Sequence, residues 1–129
     1  MPHDQLTFRE VSALNAKRAK RWHRGFPLCE DGWTGADWSN AMCGEAGEVA
    51  NVVKKLRRIE TAIHQAEQGD NTDEAYSAML TKKLATEIGD TFIYLDLLAQ
   101  FYGLRMENCV TDTFNRVSKR EGFPEKILR

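Results

Sequence analysis

The sequence predicts an all-α chain, four-helix-bundle-like, with two long central helices. Three observations carry that expectation. The only prolines stand at positions 2, 27 and 124, leaving the middle of the chain free for long helices. Apolar residues recur in steps of three and four through Trp38, Met42, Val49, Val52, Leu56, Ile59 and Ile63, and again through Leu80, Leu84, Tyr94, Leu98 and Phe101. Turn residues separate four such stretches, at 23–36, at Gly69-Asp70-Asn71 and at Gly103.

The first helix spans about 6–22. Thr7 followed by Glu10 has the spacing of a capping box, and Phe8, Val11, Leu14 and Trp22 supply an apolar face. Lys17, Arg18, Lys20, Arg21 and Arg24 form a basic cluster. It suits a polyphosphate, and equally a solvated helix end favoured by the macrodipole. The loop at 23–36 holds Gly25, Pro27, Gly32 and Gly35, with Phe26 and Trp33 among them. Trp33 either stacks on a base or plugs the end of the bundle.

The second helix starts near Asp37, read as its N-cap, and continues through Lys54, Lys55, Arg57 and Arg58. Lys54 and Lys55 lie two turns past Glu48. They either assist a bound phosphate or end the helix as exposed cations. The pattern weakens across 61–70, where Gly69-Asp70-Asn71 reads as a turn. The third helix begins at Thr72 or Asp73, with Thr72 as a cap, and runs to Tyr102 before Gly103 stops it. Between 91 and 102 only Thr91, Asp96 and Gln100 are frankly polar. A helix apolar nearly all round is covered on several sides, which in so small a chain suggests a subunit interface. The fourth helix spans about 105–120, with Met106, Val110, Phe114 and Val117 inward, and Gly122-Phe123-Pro124 ends it.

At 129 residues the chain is expected to form one domain, 1–129. Apolar residues at 42% and charged residues at 29% fit a soluble globular protein. A net charge of −1 gives no global case for nucleic acid or acidic membranes. Cys29, Cys43 and Cys109 are odd in number and lack CxxC spacing, which suits a reduced, cytoplasmic setting. No stretch is long and apolar enough to span a bilayer, and no signal-peptide pattern is present.

Two acid pairs interrupt the seams. Glu45 falls between Met42 and Val49, where a leucine belongs, with Glu48 on an adjoining row; Glu87 and Thr91 fill the middle of the second seam, with Asp90 one turn beyond Glu87. Carboxylates on a packing face are costly unless paired or bound to metal. No Lys or Arg stands three or four residues after Glu45 to neutralise it. An oxygen-only cluster suits a hard divalent cation, Mg²⁺ or Mn²⁺ in its place. The plainer reading makes these acids solvated helix-face residues. A di-iron carboxylate bundle needs Glu-x-x-His pairs, but the histidines are His3, His23 and His64.

Glu45-x-x-Glu48 followed by Glu87-x-x-Asp90, each inside a long helix, resembles the MazG-like, all-α nucleoside triphosphate pyrophosphohydrolase superfamily. The likeness runs from about Trp22 to Pro124. Glu87-Ile88-Gly89-Asp90-Thr91-Phe92-Ile93-Tyr94-Leu95 is similar to the dCTP pyrophosphatase branch. Phe114-Asn115-Arg116-Val117-Ser118-Lys119-Arg120-Glu121-Gly122-Phe123-Pro124 is similar to the ending of short bacterial and phage members. Gly44 stands where many members carry a further Glu. The resemblance implies hydrolysis of a nucleoside triphosphate to monophosphate and pyrophosphate, with Glu45, Glu48, Glu87 and Asp90 holding Mg²⁺; on chemical grounds an acid not fully used as a ligand, Glu48 or another of the four, would accept the water's proton. It also implies Tyr94 against the sugar (or as a plain seam residue), Asn115, Ser118, Lys119 or Arg120 at the phosphates, and a homodimer or homotetramer. The alternative is a non-enzymatic helical interaction module, which would tolerate Glu→Gln changes at all four acids.

Overall fold

The expected capping box opens the first helix. The Glu10 N–H donates to the Thr7 hydroxyl oxygen at 3.2 Å, and the Thr7 N–H donates to the Glu10 carboxylate at 2.9 Å. The computed structural model describes residues 5–65 and 72–128, apart from the side chains of 62–65, 72 and 73. Four helices follow in order: α1 (Phe8–Trp22), α2 (Gly35–Gln65), α3 (Thr72–Phe101) and α4 (Met106–Glu121). No strand occurs among the described residues, and no helix among them is long and apolar enough to cross a membrane. The Gly69-Asp70-Asn71 turn and the side chains of Ile63 and Thr72 lie outside the described residues.

Contacts divide the chain into two compact units. One comprises the chain up to Trp38 together with the stretch from Asp96 onward, and the other is Ser39–Leu95. In the first unit α1 packs on α4. The Glu107 carboxylate takes Arg9 at 3.3 Å and is gripped by Arg105 as well. Phe26 and the fully buried Trp38 meet edge to face, 5.5 Å between ring centres, and Trp38 also touches Trp33 at 4.7 Å and His23 at 4.8 Å.

The start of α2 departs from expectation. Thr34, not Asp37, is the residue from which the helix departs: its carbonyl accepts from the Trp38 N–H at 3.2 Å. Asp37 sits in the first turn and reaches back, accepting from the Thr34 N–H at 2.8 Å and its hydroxyl at 2.9 Å. It therefore fills the acid position of a capping box, and these bonds hold its carboxyl below the ordinary value.

Both predicted glycine stops hold. At Gly103 (φ 70°) the N–H returns to the Gln100 carbonyl and the Leu104 N–H to that of Ala99; at Gly122 (φ 73°) the partners are Lys119 and, from Phe123, Ser118. These paired bonds define a Schellman motif, and its left-handed residue favours glycine.

Helix existence was legible, but two inner faces were not. On α1 the buried residues are Asn15 and Ala19, while Leu14 and Trp22 are exposed. Asp96, wholly buried on α3, draws that side of α1 inward. Its carboxylate accepts from the Ser12 hydroxyl at 2.5 Å, the Asn15 amide at 2.9 Å and the Gln100 amide at 2.9 Å. On α4 the buried residues are Met106, Thr111 and Ser118, whereas Val110 and Phe114 are exposed. Side-chain polarity gives way here to what faces each surface.

Gly35, in the first turn of α2, is buried beneath Tyr102. A Cβ at Gly35 would overlap the Tyr102 ring end, but Tyr102 is itself exposed and free to swing outward. Gly35→Ala therefore costs about 1 kcal/mol in urea unfolding. In a Tyr102→Ala background that cost disappears; an equal cost in both backgrounds would assign the strain to backbone instead.

In the second unit Val52, Ile59 and Leu80 form a buried cluster with Leu56 and Leu84 against it. Glu45 near the start of α2 meets Glu87 and Asp90 of α3, while the later Val52–Ile59 stretch meets Leu80, so the two helices run antiparallel.

Candidate metal centre

The antiparallel pairing explains how two distant motifs meet. The three-residue spacing within each motif puts both its acids on one side of the helix. Glu45 lies seven residues before Val52 on α2, and Glu87 seven after Leu80 on α3, two turns from the buried cluster in each case. Glu45, Glu87 and Asp90 each contribute a carboxylate oxygen to a group whose members lie within 4.8 Å of one another. All three are half-buried.

Glu48 differs. It is exposed and outside this three-oxygen group, although its charge still acts on Glu45. Burial, and then the negative charges of Asp90, Glu87 and Glu48, push the Glu45 carboxyl above its ordinary value. Among the described residues none of the four acids takes part in an ion pair. The donor set is entirely hard oxygen, without His or Cys, which fits Mg²⁺ or Mn²⁺ better than a softer metal.

A Cβ added at Gly44, Gly47 or Gly89 would meet no atom within 4 Å. Thr91 turns its hydroxyl back to the Glu87 carbonyl at 2.8 Å, which leaves the Glu87 carboxylate unclaimed by it. Lys54 is exposed on α2, and Tyr94, one turn beyond Asp90, is half-buried.

The other sequence candidates belong to the first unit. Trp33 packs on His23 and Trp38 at 4.5 and 4.7 Å. The Asn115 amide is used on the chain itself: it donates to the Ile127 carbonyl at 2.9 Å and accepts from the Ile127 N–H at 2.8 Å, pinning the C-terminal stretch. Lys119 is exposed, and Arg120 bonds to Glu121 at 2.7 Å. What sequence reasoning passed over is Asp96, the most deeply buried acid among the described residues. Its signal matched that of Glu45, a carboxylate within an apolar helical stretch, yet its answer is hydrogen bonding. Compared with protein-family models, with curated proteins and with solved structures, the chain has no match.

Proposed function

We propose that this protein is a Mg²⁺-dependent nucleoside triphosphate pyrophosphohydrolase, releasing pyrophosphate and a nucleoside monophosphate. The observation that carries the reading is the convergence of Glu45, Glu87 and Asp90 from two helices, none of them in an ion pair among the described residues. Like charges held this close repel one another, and a divalent cation removes that penalty. These three acids hold the ion, with Mn²⁺ as a substitute. When bound, it supplies charge neutralisation for the triphosphate and Lewis acidity at the scissile phosphate. Glu48, exposed one turn from Glu45, keeps a free carboxylate that takes the proton of the attacking water. Lys54 supplies a cation to the phosphate chain, and Tyr94 lies against the sugar.

A homodimer or homotetramer belongs to the same reading. Val53, Met79 and Ile88 of the second unit are about half exposed, as two helices alone cover one stripe of each other. The same exposure favours the runner-up, a helical interaction module without catalysis.

The test is pyrophosphate release from a panel of standard and modified ribo- and deoxyribonucleoside triphosphates, with Mg²⁺ and with chelator. Release from one or a few nucleotides, abolished by chelator, is the expected result. A folded protein that releases none and gains no thermal stability from Mg²⁺ or Mn²⁺ would leave the interaction module.

A further inference from the structure

One face of α1 is left exposed by the packing of its own unit. Leu14, Arg18 and Trp22 follow one another at four-residue steps, a single row along the helix, with Lys17 and Arg21 on the adjoining row. Leu14 is 66% exposed and Trp22 64%, whereas Asn15 and Ala19 are buried. The Arg18 guanidinium lies 5.3 Å from the Trp22 ring centre. In the turn just beyond the helix, Leu28 is 86% exposed.

Charge is concentrated on the same helix end. Lys17, Arg18, Lys20, Arg21 and Arg24 fall within one stretch that contains no acid, although the chain as a whole carries −1. Glu10 is committed to Thr7, and Glu30 pairs with Arg24 at 3.1 Å. Lys17, Lys20 and Arg21 enter no ion pair among the described residues.

We propose that this face attaches the protein reversibly to an anionic lipid surface. Cations and exposed apolar groups occur together, and an anionic bilayer is the polyanion that rewards both. Headgroup phosphates meet Lys17, Arg18 and Arg21, while Leu14 and the Trp22 indole enter the interfacial layer. A nucleic acid would satisfy the cations but offers nothing to Leu14 and Leu28, and Arg18 already lies over the Trp22 ring that a base would need. Attraction to such a surface changes partitioning about fivefold per cation and fades with salt.

Co-sedimentation of the full chain with vesicles of phosphatidylcholine, with and without phosphatidylglycerol, tests the proposal. Pelleting requires phosphatidylglycerol and weakens as salt is raised. Lys17→Ala and Arg21→Ala each lower partitioning about fivefold. Leu14→Ser with Trp22→Ser lowers it further at unchanged charge. Brominated acyl chains quench fluorescence of the wild type but not of Trp22→Phe. These side chains are exposed, so helicity by circular dichroism stays as in the wild type. Three outcomes overturn the proposal: no pelleting with anionic vesicles at low salt; pelleting indifferent to Leu14→Ser with Trp22→Ser and displaced by a single-stranded oligonucleotide; or a self-associated species that those two substitutions dissociate, which would assign the face to a second copy.

Discussion

If the proposed reaction is the right one, Glu45→Gln and Glu87→Gln are each expected to lower pyrophosphate release on the order of a thousandfold, and both to make the metal-free protein more stable. The opposite signs come from one geometry. Three carboxylate oxygens within 4.8 Å repel one another in the absence of a cation, and burial first, then that repulsion, raises the proton affinity of Glu45. An amide of the same shape removes one charge from the cluster. It relieves the repulsion and leaves a poorer cation ligand.

The pH dependence has a definite sign. A carboxyl raised in the folded state binds a proton there more readily than in the unfolded chain, so its ionised form weakens folding. The penalty is full above the raised value and vanishes as pH falls through it toward the ordinary 4.5. Metal-free wild type therefore gains stability on acidification across that window. Glu45→Gln is more stable than wild type at neutral pH and lacks this component. Added Mg²⁺ at about a hundredfold excess over its dissociation constant stabilises wild type by about 2.7 kcal/mol and leaves Glu87→Gln nearly unchanged. Thermal unfolding across pH, with Mg²⁺ and with chelator, reads all of this. Full activity in both variants would remove the acids from the chemistry.

Asp96→Ala is expected to destabilise the protein by about 3 kcal/mol, the largest single loss among the sites described here. The Asp96 carboxylate is wholly buried and accepts from Ser12, Asn15 and Gln100. Removing it takes one acceptor from three donors and opens a cavity beside α1. Gln100 keeps one bond, to the Ser12 carbonyl at 3.0 Å, so the network does not collapse entirely. Ser12→Ala removes one donor from an acceptor that keeps two others, and costs about 1 kcal/mol. Urea unfolding separates the two; a loss below that of Ser12→Ala would show that water replaces the carboxylate.

The contrast between Glu45 and Asp96 shows how far a sequence pattern reaches. Both are acids in apolar helical stretches, and both interrupt a packing face. Only the partners distinguish them. Asp96 has neutral donors, Ser12 and Asn15 from α1 and Gln100 from its own helix, whereas Glu45 has other acids. Nothing near either residue in the chain announces this, since Ser12 and Asn15 are more than eighty positions away from Asp96.

What the sequence by itself determined is the local part of the structure. The four helices, the Thr7 capping box and the stops at Gly103 and Gly122 follow from backbone hydrogen bonding and steric limits within a few residues. The spacing of the two acid pairs likewise follows from helical periodicity. The tertiary structure alone decided which stripe of each helix is covered. It turned Leu14, Trp22, Val110 and Phe114 outward, placed Asp37 inside the first turn of α2, and gathered Glu45, Glu87 and Asp90 while leaving Glu48 exposed. The physical reason is that burial is a property of a pair of surfaces. A helix encodes its own period and its own ends, but the partner that desolvates each face comes from elsewhere in the chain.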